Sequence, residues 1–130
     1  MNFYLTDTHA LYWYLVSSPS LGAGAGSAFD EADNGLALIY IPAIVVAELY
    51  FLNEKKQHPL DFVAKYERLE QSQQFVLLPF FPATTLHFDA CRSILEMHDR
   101  MIVADARLLS APLITRDRDI IMSGLVQTIW

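Results

Sequence analysis

With 130 residues, the chain has room for one domain, residues 1–130, with a real core and little space for a second. A single cysteine, Cys91, excludes an internal disulfide and suits a reducing compartment, and a net charge of −6 argues against a general nucleic-acid binder, whose footprint is usually basic. No stretch reaches the ~18 uninterrupted apolar residues of a membrane span, and no secretory signal is evident, so a cytoplasmic protein is expected.

Asn2 to Thr6 is apolar and β-prone and predicts a first strand that ends at Asp7. Thr8 is positioned to cap a helix from His9 to about Val16. Pro19 to Gly26 reads as a turn, and Ser27 to Asp33 as a short helix closed by Asn34-Gly35. Leu36 to Ile41 is a continuous apolar run, as in a parallel strand buried on both faces. Pro42 then opens a helix with Val45, Leu49 and Leu52 at helical spacing. Pro59 opens another, to about Gln71, and Phe75 to Leu78 reads as a third strand. A helix from Pro82 to Leu95, a second from about Asp99 to Leu109, a short strand over Pro112 to Thr115 and a last strand from Leu125 to Trp130 complete the chain. Strands alternate with helices, which predicts a three-layer α/β/α sandwich around a mostly parallel sheet.

Four acids stand out on this map: Asp7, Glu48, Asp99 and Asp117. Asp7 and Asp117 follow directly on short apolar strands, and ligands of open α/β sheets bind outside the carboxyl ends of the strands. Glu48 lies in an otherwise apolar helical stretch, where an acid is costly to bury without a partner or a metal. Asp99 stands where a new helix begins. Each also has a structural reading: Asp7 and Asp99 as helix caps, Asp117 as a turn residue, Glu48 as one half of an ion pair with an Arg. Together they suit Mg²⁺ or Mn²⁺, which prefer hard oxygen ligands, and one ion or two remain equally open. Cations clustered there would offset the acidic balance, and Arg100, Arg116 and Arg118 each sit beside an Asp.

The stretches Leu5-Thr6-Asp7-Thr8-His9-Ala10-Leu11-Tyr12-Trp13, Ala47-Glu48-Leu49, His98-Asp99-Arg100-Met101-Ile102-Val103-Ala104 and Leu113-Ile114-Thr115-Arg116-Asp117 resemble, in order, the successive motifs of PIN-domain proteins, most closely the bacterial VapC-type toxins. Val126 to Trp130 resembles the close of that family. The resemblance implies a PIN-type sandwich and a Mg²⁺- or Mn²⁺-dependent endoribonuclease held in check by a cognate antitoxin protein. It makes Asp7, Glu48, Asp99 and Asp117 the catalytic and metal-holding acids, with Thr115 as a hydroxyl that hydrogen-bonds within the site. Arg116 is expected to contact a substrate phosphate, and Asp119 to approach the metal through water. The resemblance also implies a homodimer, which the 53% apolar fraction and the Tyr12-Trp13-Tyr14 run favour as surface needing cover.

Some features depart from the family pattern. Met97-His98 stands where Pro-Phe is usual, and Asp105 adds an acid inside the helix that follows Asp99. Six residues turn a helix by about 600°, so Asp105 does not share a face with Asp99 and reads as structural. His9 is expected to position the first helix; the other histidines lack zinc spacing, and the Gly22-to-Gly26 run lacks the Lys of a phosphate loop. Other functions are a structure-specific or RNA-processing nuclease outside a toxin pair, and a degenerate PIN-like binding module. A receiver or phosphatase lacks its further acids beside the nucleophile and its late Lys.

Overall fold

The computed structural model describes residues 1–130. Five strands form one sheet in the order β3-β2-β1-β4-β5, with every pairing parallel: β1 Asn2–Thr6, β2 Ala37–Pro42, β3 Phe75–Leu78, β4 Leu113–Ile114 and β5 Thr128–Ile129. The strands read as apolar runs because both faces are covered: Leu5, Ile39, Ile41, Leu113 and Ile114 are fully buried. Six α-helices connect them: α1 Thr8–Leu15, α2 Ala23–Asp33, α3 Ala43–Lys55, α4 Phe62–Gln71, α5 Met97–Leu109 and α6 Arg118–Ser123. The α3 helix packs against α1 and α5, while α2 and α4 lie on β2 and β3. Leu11, Phe29, Val45, Ile102 and Ile120 carry the helical side of the core, and Cys91 is buried with them as a small apolar residue.

The chain builds outward from β1 to β2 and β3, then crosses back to lay β4 on the other side of β1. That reversal lies between β1 and β4, and the crevice beyond the strand ends there is the natural ligand position of such a sheet. The register pairs Thr6 with Ile114, so Asp7 and Thr115 emerge side by side.

Several expectations need correction. The helix after the Gly/Ala run begins at Ala23, not Ser27, because small residues let it lie against Trp130: a Cβ at Gly24 would come within 2.6 Å of the Trp130 carbonyl oxygen. Helix α4 begins at Phe62, not Pro59; the Asn53 side chain bonds both the N–H and the C=O of Leu60, so that segment stays a connection and Asp61 caps the helix. Pro82 opens no long helix. Residues Pro82–His87 and Asp89–Cys91 are two 3₁₀ segments. There Thr85 Oγ1 donates to the Pro82 carbonyl at 2.7 Å, a local alternative to helical bonding. The last strand is only Thr128–Ile129, and a short helix, α6, follows Asp117 where the sequence shows no helical pattern.

The aromatic run of α1 is not a bare surface either. Tyr12 is buried, and Trp13 and Tyr14 pack on the core. Tyr14 stacks on Phe29 at 4.3 Å and donates a 2.6 Å hydrogen bond to Asp33; burial, then that bond, pushes its hydroxyl up to about 12. This run therefore gives no argument for a dimer.

Candidate active site

Asp7 is the N-cap of α1. Its Oδ1 accepts from the Ala10 amide at 2.9 Å, so Asp7, not Thr8, caps the helix. Thr8 turns its hydroxyl toward α3 instead and donates to Glu48 Oε1 at 2.8 Å. Asp117 is the N-cap of α6, with Oδ1 accepting from the Ile120 amide at 3.0 Å. Its own N–H donates to Thr115 Oγ1 at 3.0 Å. Two carboxylates are thus fixed at the carboxyl ends of neighbouring strands by short local bonds that leave each a second oxygen.

Glu48 comes from the middle of α3 and is half-buried rather than sealed in the core. Its partner is no Arg: His98 Nδ1 lies 3.4 Å from Glu48 Oε2 and 3.4 Å from Glu96 Oε1. Asp99 sits in the first turn of α5. The cap of that helix is Glu96, which accepts from the Asp99 amide at 2.6 Å and leaves the Asp99 carboxyl free of capping.

Asp7, Glu48, Asp99 and Asp117 all line one cleft of about 670 Å³, with Arg116 at its wall. Their electrostatics show the crowding. Burial, then the Asp117, Glu96, Glu48 and Asp7 carboxylates, pushes the Asp99 carboxyl up to about 6. Burial also raises Asp7, against the pull of the Thr115 hydroxyl, the Ala10 amide and His9, and with a further push from Asp117.

The remaining candidates divide. Thr115 is fully buried beneath the cleft, where its hydroxyl serves Asp7 and Asp117. Asp119 is exposed on the first turn of α6 and does not line the cleft. Asp105 is 3% exposed, away from the cleft, with an unpartnered Oδ1; burial pushes it up to about 6. The cleft also gathers residues to which the sequence gives no site role: Thr8, read there as a cap, and Phe51, Lys55, Glu96 and His98. Phe51 and Lys55 lie three and seven positions after Glu48, a helical spacing that marks them as its neighbours on one face. Glu96 carried no such signal, since Glu is not among the favoured caps.

The donor set is hard oxygen, as Mg²⁺ and Mn²⁺ require, and a cation there would relieve the mutual push on Asp99. No three His, Cys, Asp or Glu side chains stand close enough to chelate an ion by themselves. A cation held there would keep part of its water shell, as Mg²⁺ does.

A parallel sheet in this order, with two carboxylates at its central strand ends and two more on flanking helices, defines an α/β/α fold with an acidic cleft at the topological switch point. The chain belongs to the PIN-domain family, whose model matches residues 4–122; the members of this family are nucleases. Among solved structures, VapBC2 from Rickettsia felis, bound to a DNA fragment from its promoter, is 19% identical over 97% of this chain and 96% of that chain, with a TM-score of 0.70. FitAcB from Neisseria gonorrhoeae is 25% identical over 95% and 94%, with a TM-score of 0.68. FitAB bound to an IR36 DNA fragment is 22% identical over 95% and 92%, with a TM-score of 0.60. No curated protein is significantly similar. No helix is long and apolar enough to cross a membrane.

Proposed function

We propose that this protein is a Mg²⁺- or Mn²⁺-dependent endoribonuclease and the toxin of a toxin–antitoxin pair. The observation that carries the catalytic reading is the gathering of Asp7, Glu48, Asp99 and Asp117 in one cleft at the switch point of the sheet. These four would hold the cation. When bound, it orients and acidifies a water and neutralises charge on the phosphate. Thr8 fixes the Glu48 carboxylate, and Thr115 fixes the backbone that carries Asp117. Arg116 and Lys55 line the same cleft without pairing to its acids and are free to meet phosphate oxygens. They offset the objection that a net charge of −6 raises to an RNA substrate. An antitoxin partner is supported by the family resemblance and by the two-part names of the solved relatives, VapBC2 and FitAB. The homodimer is carried by the resemblance alone.

A degenerate PIN-like binding module is the second reading, favoured by one observation: no three of these side chains stand close enough to chelate an ion without its waters. Single-turnover cleavage of labelled RNA, with matched DNA as a control, separates the two. The nuclease should cut RNA with Mg²⁺ or Mn²⁺, stop in EDTA and fall to background in Asp7→Asn. Binding of RNA without metal-dependent cleavage would establish the second reading.

A further inference from the structure

Arg116 is an exposed cation on the wall of a cleft with five carboxylates, Glu96 included, yet it forms no ion pair with any of them. Its guanidinium carbon instead lies 4.4 Å from the ring centre of Trp13, over the indole face. A guanidinium left loose here would fold onto Asp7 or Asp117, cancel the charge that a cation needs and lose its own donors to them. The indole offers an alternative partner that is attractive, neutral and free of competing oxygens.

Trp13 is itself held from several sides. It lies one helical turn from His9 on α1, and the two rings are 5.4 Å apart. Trp130 meets it edge-on at 5.7 Å. Trp130 in turn rests where Gly22 has no side chain: a Cβ there would lie 2.5 Å from Trp130 Cδ1. The α1 helix, the chain following β5 and the start of α2 thus converge to place one indole ring under one guanidinium.

We infer that Trp13 is a positioning residue: it holds the Arg116 guanidinium off the carboxylates and presents it to a phosphate of the substrate strand. The inference rests on the reading of the cleft as a phosphodiester site. The cost of losing Trp13 should therefore pass through Arg116 and not through direct contact with RNA.

A double-mutant cycle tests it, with a short labelled single-stranded oligoribonucleotide of mixed sequence as the probe, in EDTA to prevent cleavage. Trp13→Leu should weaken binding by roughly two- to fivefold, the scale of an exposed cation–π contact. Arg116→Ala should cost at least as much, and the double variant should bind no more weakly than Arg116→Ala. Trp13→Phe, which keeps an aromatic face, should restore most of the loss. Additive losses, or no loss in Trp13→Leu, would overturn the inference. Should Trp13→Leu fail to fold, Trp13→Met fills the space without a ring and takes its place. A second readout needs no RNA: the Arg116 Nε resonance should carry a ring-current shift that disappears in the ringless variant. A resonance that does not move overturns the holding of Arg116. Wild type that neither binds nor cuts RNA overturns the nuclease reading instead, and the resonance then decides the role of Trp13 by itself.

Discussion

The Thr8 hydroxyl donates to Glu48 Oε1 at 2.8 Å, and this bond ties the first turn of α1 to the middle of α3 across the cleft. It converts a flexible Glu side chain into a fixed acceptor. Hydrogen bonds that orient a metal-holding carboxylate typically matter by about 10–100-fold in metal affinity or activity. Thr8→Val keeps the shape and removes the donor. It should weaken Mn²⁺ affinity and slow RNA cleavage by such a factor, and shrink the Mn²⁺-induced rise in melting temperature by the logarithm of that loss, while Thr8→Ser retains all three. Equal responses in wild type and Thr8→Val would show that Glu48 needs no anchoring.

Asp99→Asn removes the carboxylate on which the other acids press hardest. Loss of one electrostatic contribution of this kind costs about 10²–10³-fold in rate. Single-turnover cleavage should fall to near background, whereas Arg116→Ala should keep measurable activity with weaker binding and a flatter salt dependence. Cleavage by Asp99→Asn at the wild-type rate would remove Asp99 from the site.

Asp99 also sets a pH dependence. Its carboxyl is pushed up to about 6 by burial and its acidic neighbours, so below that pH a proton would compete with a cation held there. Mn²⁺ affinity, measured by calorimetry, should rise as pH increases from about 5 to 7 and then level off. Affinity that is flat across this window would contradict the crowding.

Asp105 gives a stability effect of known sign. Its carboxyl is pushed up to about 6 by burial, from 3.8. The folded state therefore binds this proton more tightly than the unfolded chain does. The stabilisation is present at low pH and is lost as pH rises through the window from about 4 to 6, with a ceiling of about 3 kcal/mol. Denaturant melts should show that loss in wild type, and Asp105→Asn should remove this part of it. Parallel pH profiles in the two proteins would rule the effect out.

The glycines of α2 make a paired test. A methyl at Gly24 would come within 2.6 Å of the Trp130 carbonyl oxygen, whereas one at Gly26 meets nothing within 4 Å. Gly24→Ala should destabilise by about 1–3 kcal/mol through overpacking. Gly26→Ala should stabilise by about 0.5–1 kcal/mol, because Ala is the better helix former. Thermal melts of the two variants should move in opposite directions.

The elements that the residues made legible are those whose local chemistry agrees with their packing. The apolar runs of β1, β2 and β3 and the spacing of Val45, Leu49 and Leu52 along α3 belong to this group. What stayed hidden depends on partners distant in sequence. The Gly/Ala run looks like a turn until Trp130 is laid against it, and Phe51 and Lys55 gain meaning only once Glu48 faces the cleft. The acids show a different lesson. Capping and site membership read as alternatives for Asp7 in the sequence, and the structure has both at once: one oxygen caps the helix and the residue still lines the cleft. Asp117 does the same at α6. Asp99 caps nothing because Glu96, an unfavoured capping residue, took that role.

The sheet is unequal on its two sides. β1 aligns with β2 over four residue pairs, but with β4 over only two, and β4 with β5 over only two. Asp7 and Glu48 thus belong to the well-laced half, while Thr115, Arg116 and Asp117 follow a strand that few ladder bonds retain. Local opening begins where such bonds are fewest. The amides of Ile114 and Thr115 should exchange with solvent sooner than those of Ile39 and Tyr40. A molecule that favours the opened form would then part the acids of the cleft without unfolding the domain.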